Sequence, residues 1–396
     1  MEILRQLSLI LISLSFLYLL YAVYCTRVFF NLGEDTPLHK GALPPVSVIK
    51  PVADMDVGDM VSLISFCEQD YPVFEVIFAL PSDADRLIAQ IETLKARFPE
   101  TDIRWVSADT DRGPNYKVGN LIGAVGAARH PVLVISDADI RVGPAYLRQT
   151  VAAFLEDHVG LATCLYRVVD IRSVPDALQA LSIQTDFIPN VLVGRKIEGI
   201  TYGFGAGLCT SKEILEAIGG LEPLLGYLAD DYQLGYRIHQ KGYRIVLCRF
   251  LTDHASSIRN FRDHFRYRLR AGITQRVCRP LGYVASGITQ TVSLSLLFLV
   301  IHPLSPTAAA LFLFICCTRI GTARYLNGTV IRNPEITRYL WITPMNDLFN
   351  TGIWCLSLII GTVHWRKRRF RVLKDGRMTE YPSSGSTIKR CECPEN

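Results

Sequence analysis

Hydrophobic residues are concentrated near the two ends of the chain. From Leu7 to Tyr24 the sequence is almost unbroken Leu, Ile, Tyr, Phe and Val, about the length that crosses the ~30 Å hydrocarbon core of a bilayer as a helix. The apolar run continues to Phe30, without the small-residue cleavage site that follows a secretory signal. We therefore predict an uncleaved transmembrane anchor over residues 1–30.

Two further apolar runs lie in the last third of the chain, from Tyr283 to Ile301 and from Thr307 to Cys317. The segment between them contains Pro303 and Pro306, and proline interrupts a helix. Lipid-exposed backbone must satisfy its own hydrogen bonds, so helices are the expected form of both runs. The pattern predicts a transmembrane hairpin over residues 283–318.

The last apolar stretch, Leu340 to Val363, contains polar side chains and precedes the basic run Arg366 to Arg371. Polar residues within a candidate span indicate a functional site or a segment that does not cross fully. The positive-inside rule places the basic run in the cytoplasm, whereas a fourth full crossing from an outside N-terminus would place it outside. We therefore expect residues 319–372 to form a re-entrant or interfacial segment with Trp365 and the arginines at the headgroups. Residues 373–396 are predicted to be a disordered tail.

The central region, residues 44–255, alternates short apolar runs with helical patterns. The runs that predict strands are Val46 to Ile49, Glu75 to Leu80, Ile103 to Val106 and Val132 to Ile135. Nearly continuous apolar strands separated by helices favour a mostly parallel sheet covered on both faces. The fold class is therefore α/β, and ligands are expected at the carboxyl ends of the strands.

Acidic residues follow two of these strands. Asp85 comes after the second strand, where it also fits a capping box with Ser82 at the start of a helix from Arg86 to Phe98. Asp137 and Asp139 share a turn after the fourth strand. Two carboxylates on such a turn attract Mg²⁺ or Mn²⁺, which takes its remaining ligands from phosphate and water. A solvated turn is the alternative interpretation.

A second acidic motif, Asp230-Asp231-Tyr232, opens a predicted helix that runs to Lys241 and ends at Gly242. The helix dipole alone favours acidic residues in a first turn. Upstream lies the glycine-rich stretch Gly203 to Gly207, whose backbone permits close approach of a ligand. Downstream, residues 256–282 form a basic segment that suits either lipid headgroups or catalysis, with Arg259, Arg262, Arg266, Arg268, Arg270, Arg276 and Arg279.

Composition agrees with a protein that is bound to a membrane. Hydrophobic residues make up 49% of the 396 residues, and the mean hydropathy of +0.22 is high for a soluble domain. The net charge of +5 is mild, and the central region has no aromatic-interleaved basic run, so nucleic acid is not an expected partner. The eleven cysteines are irregularly spaced, which indicates a reducing compartment and no disulfide framework.

The order of these motifs resembles that of the ceramide glucosyltransferase family, family 21, whose members are membrane enzymes with a GT-A nucleotide-sugar domain. Finer matches are Lys50-Pro51, Asp70 to Val76, Asn115 to Leu121, Asp139 to Val142, Gly219 to Leu221, His364 to Arg366 and Arg369 to Arg371. Within this family the hopanoid-biosynthesis branch is similar through Ser136 to Asp139 and Cys278 to Tyr283. The resemblance covers nearly the whole chain.

The resemblance implies a role for each acidic position. Asp85 would lie in the nucleotide pocket, Asp137 and Asp139 would hold the metal and the diphosphate, and Asp231 would be the general base. Independently of the family, expulsion of a diphosphate requires neutralisation of negative charge, for which Lys117 and Arg270 are suitable.

One motif of the family is incomplete. Its Gln/Arg-x-x-Arg-Trp pattern falls on Tyr267-Arg268-Leu269-Arg270-Ala271, which retains only Arg270. We expect that stacking on the acceptor side differs here, or that Arg266 or Arg268 replaces the missing polar residue.

The expected reaction is metal-dependent, inverting transfer of one hexose from a UDP-sugar to the hydroxyl of a membrane lipid. The resemblance to the hopanoid branch predicts N-acetylglucosamine as the sugar and a polyol such as bacteriohopanetetrol as the acceptor. Transfer of glucose to ceramide is the alternative, a processive polysaccharide synthase is third, and a decayed membrane scaffold is the non-enzymatic possibility. The expected location is the bacterial inner membrane, with the catalytic domain in the cytosol.

Overall fold

The computed structural model describes residues 2–31, 41–52, 59–81, 84–108, 112–256, 258, 260–365 and 368–381. Its centre is a mixed sheet of eight strands in the order β3-β2-β1-β4-β7-β6-β8-β5. The strands are β1 (Val46–Pro51), β2 (Phe74–Pro81), β3 (Asp102–Ala108), β4 (Val132–Ile135), β5 (Ile140–Arg141), β6 (Val159–Val169), β7 (Leu208–Ser211) and β8 (Arg244–Ala255). All four strands predicted from the sequence are confirmed as β1 to β4.

The first four strands of this sheet are parallel to one another. β7 pairs antiparallel with both β4 and β6, and β8 runs parallel to β6. Every residue of β1 and β4 is buried, because helices cover both faces of the sheet. The carboxyl end of β4 therefore lies at the middle of the sheet edge, which is where the predicted acidic turn begins.

Helices from the described part of the chain accompany this sheet. They are α2 (Asp59–Cys67), α3 (Asp85–Arg97), α4 (Tyr116–Ala127), α5 (Tyr146–Phe154), α6 (Val174–Ser182), α7 (Ile188–Glu198), α8 (Lys212–Ala217) and α9 (Asp230–Gln240). The helix predicted after Ala229 is confirmed as α9, and Gly242 adopts the positive φ of +92° expected beyond its end.

The start of α3 differs from the capping-box alternative for Asp85. The helix begins at Asp85 itself, and Ala84 at its N-cap makes no side-chain cap. A capping box requires the acidic residue at the third helical position, and Ser82 lies outside the described residues.

The remaining helices include the long apolar helices α1 (Glu2–Asn31) and α13 (Pro306–Tyr325). The others are the arginine-rich α10 (Phe261–Cys278), the short α11 (Pro280–Ala285), α12 (Thr291–Ile301) and α14 (Thr343–Ile359). Within the described ranges, Glu2–Asn31 and Pro306–Val330 are long and apolar enough to cross a membrane. Together with the family resemblance, these helices associate the protein with a membrane.

The first arm of the predicted hairpin is not a straight span. Residues Pro280–Thr289 and Thr291–Ile301 are two helical pieces bent by 55° at Gln290, whose φ of −81° and ψ of 60° are not helical. The second arm is longer than predicted, since α13 continues past Cys317 to Tyr325. An apolar run marks membrane exposure but does not reveal a bend within the run.

Helix α14 and the residues after it pack on the protein. The hydroxyl of Ser182 in α6 donates a hydrogen bond to Asn346 Oδ1 at 3.1 Å and accepts one from Asn350 Nδ2 at 3.2 Å. These polar side chains therefore face the protein interior, which explains their presence in an apolar stretch.

A small antiparallel sheet follows α14, with β10 (Arg368–Val372) between β9 (Thr362–Trp365) and β11 (Met378–Glu380). Arg368 pairs with Glu380, and its guanidinium carbon lies 4.5 Å from the ring centroid of Tyr116 in α4. Protein groups therefore already contact the charge of this arginine, and the location of Trp365 and the arginines at the headgroups stays a prediction. The predicted disordered tail is wrong for residues 373–381, which form a turn and β11; residues 382–396 lie outside the described residues.

Candidate active site

The N-terminal turn of α4 brings a lysine to the acidic motifs. Asn115 caps this helix by accepting a hydrogen bond from the Val118 N–H at 3.2 Å. Lys117 in this same turn places its Nζ 2.6 Å from Asp137 Oδ1 and 3.0 Å from Asp230 Oδ2. The Asn115 amide also donates to Asp230 Oδ1 at 3.3 Å. One short segment therefore joins two acidic motifs that are far apart in the sequence.

Buried polar side chains hold the main chain of the turn that carries Asp137 and Asp139. Lys50, fully buried at the end of β1, donates to the main-chain carbonyls of Asp137 and Ile140. The Ser136 hydroxyl donates to the carbonyl of Ala206 at 3.0 Å. Because the main chain is held in this way, both carboxylates remain at the sheet edge with their side chains 39% and 35% exposed.

The main chain of Gly205 connects this turn to α9. Its carbonyl accepts a hydrogen bond from the Asp137 N–H at 3.0 Å, and its own N–H donates to Asp231 Oδ2 at 2.8 Å. A Cβ at this position would lie 2.5 Å from Asp137 Oδ2. The glycine-rich stretch thus permits close approach, as predicted, but the group that approaches Gly205 here is a carboxylate of the protein.

The electrostatic environment of Asp231 favours proton transfer near neutral pH. Burial and the negative charge of Asp230 raise the pKa of Asp231 to about 6, against the opposing effects of Lys117 and the N–H of Tyr232. Burial would lower the pKa of Lys117, but Asp137, Asp230 and Asp231 together raise it well above its ordinary value. A carboxylate whose pKa lies close to the working pH is suited to general base catalysis.

The other acidic residue of the turn, Asp139, faces a layer of rings. His254 Nε2 in β8 lies 3.4 Å from Asp139 Oδ2, and the His254 ring stacks on Tyr166 with 5.3 Å between centroids. The Tyr166 hydroxyl lies 3.3 Å from that of Tyr267 in α10. The guanidinium carbon of Arg270 lies 5.9 Å from the ring centroid of Tyr267. A continuous chain of contacts therefore links Asp139 to Arg270.

The residues expected to compensate for the incomplete arginine motif do not reach this layer through the described contacts. Arg268 is buried and donates to Asn350 Oδ1 at 3.2 Å, whereas Arg266 is exposed. The contact with Tyr166 is made by the hydroxyl of Tyr267, which occupies the first position of the motif. The tyrosine thus supplies a polar contact at the position where a replacement arginine was expected.

The six predicted site residues are not all brought together. Asp137, Lys117 and Asp231 belong to one hydrogen-bonded and charged group, and Asp139 and Arg270 are joined to each other through the ring layer. Asp85 is exposed at the start of α3, at the same edge of the sheet. Within the described part of the chain it takes no part in these hydrogen bonds or ion pairs.

Sequence reasoning missed several residues that contact the site. Asn115 and Asp230 stood inside noted motifs, but their partners depend on tertiary structure. His254 and Tyr166 carried at most a weak signal, since each is one of several polar residues in its strand. The pairing Tyr166↔Thr252 and Val168↔His254 between β6 and β8 brings the two rings together.

The carboxylates of Asp137 and Asp139 fit a divalent cation that takes only one or two of its ligands from the protein. Across the described ranges, no group of three or more His, Cys, Asp or Glu side chains is arranged to hold a metal. Asp137 and Asp139 nevertheless supply hard oxygen donors from one turn. Mg²⁺ and Mn²⁺ commonly bind one or two carboxylates and complete their shell with substrate phosphate and water. The donor set therefore fits a cation that is bound together with a nucleotide diphosphate.

Similarity to known proteins agrees with this geometry. A sequence profile described as "Glycosyl transferase family 21" matches residues 7–378. Ceramide glucosyltransferase 1 of Caenorhabditis elegans is 24% identical over 378 residues, covering 92% of this chain and 79% of that protein. Ceramide glucosyltransferase of Komagataella phaffii is 30% identical over 159 residues, 38% of this chain and 31% of that protein.

A solved structure shares the architecture. The mannosyltransferase PcManGT from Pyrobaculum calidifontis, in complex with GDP-Man and Mn²⁺, superimposes with a TM-score of 0.50 and 17% identity. The match covers 89% of this chain and 99% of that chain. The predicted GT-A fold, with a mostly parallel sheet and membrane helices at both ends, is thereby confirmed.

Proposed function

Since the chain belongs to glycosyl transferase family 21, we propose that it transfers one hexose from a UDP-sugar to a hydroxyl group of a membrane lipid, with inversion at the anomeric carbon. That it is a glycosyltransferase follows from the family; the donor, the acceptor and the roles of the residues are the proposal. The observation that carries it is the position of Asp231, held by the Gly205 N–H beside the Asp137–Lys117 pair.

Asp231 is the proposed general base. In the reaction the lipid hydroxyl oxygen bonds to the anomeric carbon, its proton passes to the Asp231 carboxylate, and the bond from that carbon to the diphosphate breaks. A positioned base contributes about 10²- to 10⁴-fold to such a step. The N–H groups of Gly205 and Tyr232, each 2.8 Å from a different carboxylate oxygen, fix the orientation of the base.

Lys117 is proposed to neutralise the departing diphosphate. Its Nζ already lies between the carboxylates of Asp137 and Asp230, so its charge and position are set before the donor binds. Arg270 is the second proposed cation, placed at the far end of the ring layer. Preorganised charges of this kind stabilise a transition state without reorganising during the reaction.

Asp137 and Asp139 are the proposed ligands of Mg²⁺ or Mn²⁺. A bound ion would supply positive charge to the diphosphate oxygens. The position of Asp85 at the carboxyl end of β2 supports its assignment to the nucleotide pocket, where the uracil and ribose would lie beyond the diphosphate.

Inversion follows from the presence of a single assigned base. No second carboxylate is assigned as a nucleophile, so the acceptor attacks from the face opposite the leaving group. An α-linked UDP-sugar would then give a β-glycoside. Detection of an α-linked product by NMR of the purified glycolipid would contradict the proposed mechanism.

Ceramide with UDP-glucose is the acceptor and donor pair that we now favour. Ceramide glucosyltransferase 1 of Caenorhabditis elegans matches over 92% of this chain, whereas the hopanoid interpretation depends on short local motifs. Transfer of N-acetylglucosamine to a hopanoid polyol in a bacterial inner membrane remains the second candidate, on the basis of residues 136–139 and 278–283.

The catalytic domain is proposed to face the cytosol, since the basic strand β10 follows the last membrane-associated helix. A cysteine placed at Lys374 tests this orientation in intact cells. It should remain unlabelled by a membrane-impermeant maleimide until the cells are opened, and labelling before opening would reject a cytosolic domain.

A membrane-fraction assay tests the function. Radiolabelled UDP-glucose and UDP-N-acetylglucosamine are each offered with ceramide or bacteriohopanetetrol, in Mn²⁺ or Mg²⁺ and in EDTA. We expect metal-dependent labelling of ceramide by UDP-glucose. Labelling of the hopanoid by UDP-N-acetylglucosamine would keep the site assignments and change the acceptor, whereas no labelling of either lipid would reject the proposal.

A further inference from the structure

Strand β10 carries an arginine on its inner face. The side chains of Phe370 and Val372 are buried. Those of Arg369 and Arg371 are exposed, as the alternation of a strand requires. Arg368 lies on the same face as the two buried residues, and its side chain is 35% exposed. A charged side chain beside apolar residues on an inner face requires partners.

Two groups hold the guanidinium of Arg368. It forms an ion pair with Glu380 of β11, through Nε to one carboxylate oxygen and Nη2 to the other. This paired geometry fixes the plane of the guanidinium. The guanidinium carbon also lies 4.5 Å from the ring centroid of Tyr116, the first residue of α4, and a cation is attracted to an aromatic ring at this distance. β10 therefore contacts the residue that directly precedes Lys117.

The same small sheet also holds the loop of residues 225–230. The Leu228 N–H donates to the carbonyl of Gly376, and the Met378 N–H donates to the carbonyl of Gly226. Because these are main-chain hydrogen bonds, they fix the path of the loop that leads to Asp230.

This loop in turn binds the residue that caps α4. The Asn115 N–H donates to the carbonyl of Leu225 at 3.0 Å. The Asn115 side-chain amide donates to the carbonyl of Tyr227 at 2.9 Å. The small sheet thus reaches the start of α4 by two routes, directly at Tyr116 and through the loop at Asn115.

Both routes end beside Lys117. Its Nζ lies 2.6 Å from Asp137 Oδ1 and 3.0 Å from Asp230 Oδ2. A lysine side chain has many rotamers, so this geometry depends on a fixed main chain at the start of α4. Functional side chains are placed precisely when surrounding contacts restrict the segment that carries them.

We propose that Arg368 is a positioning residue for sugar transfer. Through the ring of Tyr116 it fixes the first turn of α4, and it thereby determines where Lys117 places its positive charge. Arg368 acts through Tyr116 and not on the donor or the acceptor. This inference rests on the proposed function, because it assigns a supporting residue to the cation proposed to neutralise the diphosphate.

Chemical labelling of Lys117 tests the proposal without requiring turnover. The full-length protein in lipid nanodiscs is treated briefly with an amine-acetylating reagent, and acetylation of each lysine is measured by mass spectrometry. In Arg368→Met, Lys117 should be acetylated about fivefold faster than in wild type, the equivalent of one lost hydrogen bond. Lys95, exposed on α3, is the internal control, and its rate should not change.

Kinetics tests whether Arg368 acts through Lys117. Arg368→Met should lower kcat about tenfold, because a small displacement of a catalytic group is costly. The KM for the acceptor lipid should not change. In a Lys117→Met background the same substitution should have no further effect on kcat, since residues that act as one unit are not additive. An equal loss of kcat in both backgrounds, or no loss in either, would overturn the proposal.

Variants of Tyr116 test the same contact if Arg368→Met does not fold. Tyr116→Leu removes the ring and should lower kcat as much as Arg368→Met, whereas Tyr116→Phe retains the ring and most of the activity. Equal losses in the two Tyr116 variants would reject the ring contact. Arg97→Met is the matched control, because it removes an exposed arginine that lies 5.3 Å from the ring centroid of Phe98 at the end of α3. This control should have wild-type activity.

The two readouts separate this inference from the proposed function. If the wild-type protein transfers sugar to neither lipid but Arg368→Met speeds the acetylation of Lys117, positioning by Arg368 is retained and the proposed function is rejected. If the wild-type protein transfers sugar and Arg368→Met changes neither acetylation nor kcat, only the positioning role is rejected.

Discussion

The main-chain N–H of Gly205 donates a hydrogen bond to the carboxylate of Asp231 over 2.8 Å. The carbonyl of the same glycine accepts from the N–H of Asp137. The main chain of one residue, Gly205, is thus hydrogen-bonded to both the proposed base and the proposed metal ligand. A change in the position of this segment alters both groups at once, and a side chain there would enter the space that Asp137 occupies.

Replacement of the proposed base should abolish turnover. Asp231→Asn retains the size of the side chain and can still accept from Gly205, but it cannot take a proton. We expect kcat to fall by about 10²- to 10⁴-fold, with the dissociation constant of UDP-glucose, measured by calorimetry, changed less than threefold.

Asp139→Ala provides the contrasting variant for that experiment. Because Asp139 is a proposed metal ligand, its loss should weaken donor and Mn²⁺ binding together. Equal loss of donor binding in the two variants would show that the roles of base and ligand are not separate.

Activity should depend on pH through Asp231. The base acts in its deprotonated form, and its pKa is raised to about 6, so kcat/KM for the donor should be level above that pH. Below it, kcat/KM should fall about tenfold for each pH unit.

Asp230→Asn removes the negative charge that helps to raise this pKa. The acid limb of the pH profile should therefore move to lower pH in this variant. A profile with the same midpoint in both proteins would assign the acid limb to another group.

Gly205→Ala should disrupt the site through steric contact. The new Cβ would lie 2.5 Å from Asp137 Oδ2 and 3.2 Å from its carboxyl carbon, so the carboxylate must move. A displacement of about 1 Å in a catalytic group costs about 100-fold, and we expect a loss of that order in kcat/KM.

Gly126→Ala is the control for the added methyl group. A Cβ at this helical position would meet no atom within 4 Å outside its own helix backbone and chain neighbours, and alanine favours helix over glycine. This variant should retain full activity and gain about 0.5 kcal/mol in stability, measured by denaturation. Equal activity losses in both glycine variants would exclude the specific contact with Asp137 as the cause.

Stability at acid pH should depend on Glu75. This fully buried carboxylate accepts from Ser47 at 2.5 Å and from the Arg129 N–H at 2.7 Å, and it pairs with Arg104. Burial would raise the pKa of Glu75, but these partners lower it below the ordinary value. The stabilisation is therefore present above the unfolded-state pKa of about 4.3 and is lost as pH falls through the lower folded-state value.

Glu75→Gln should lower the free energy of unfolding at pH 7 by about 2 to 3 kcal/mol. The difference from wild type should shrink as the pH falls below 4. Glu216→Gln on the exposed face of α8 should change stability by less than about 0.5 kcal/mol. A constant difference between the Glu75 variant and wild type down to low pH would reject the charged network as the source.

Local sequence patterns predicted the elements that depend on short-range physics. The strands from Val46, Glu75, Ile103 and Val132 are runs of mostly apolar residues, and the helix after Ala229 has a glycine just beyond its end. The apolar helices were recognisable from their composition and length alone. The bend at Gln290 was not, because it depends on packing between helices that are distant in the sequence.

Long-range contacts were not predictable in the same way. Lys117 was selected for its charge, yet its partners Asp137 and Asp230 are determined by the order of strands in the sheet. The Tyr166–His254 stack depends on the register of β6 against β8, which no local pattern specifies. The contacts of Arg368 with Glu380 and Tyr116 were likewise not predictable, because they depend on a short antiparallel sheet and its position beside α4.

The loop that precedes Asp230 is hydrogen-bonded to the small C-terminal sheet. The Leu228 N–H donates to the carbonyl of Gly376 at 3.1 Å, and the Met378 N–H donates to the carbonyl of Gly226 at 2.7 Å. These partners are separated in the sequence by α12 and α13. During synthesis, the loop can therefore acquire these bonds only after both helices have left the ribosome. Completion of the catalytic loop is thus a late event in biogenesis, and a chain becomes competent for sugar transfer only once its membrane helices are available to meet the lipid.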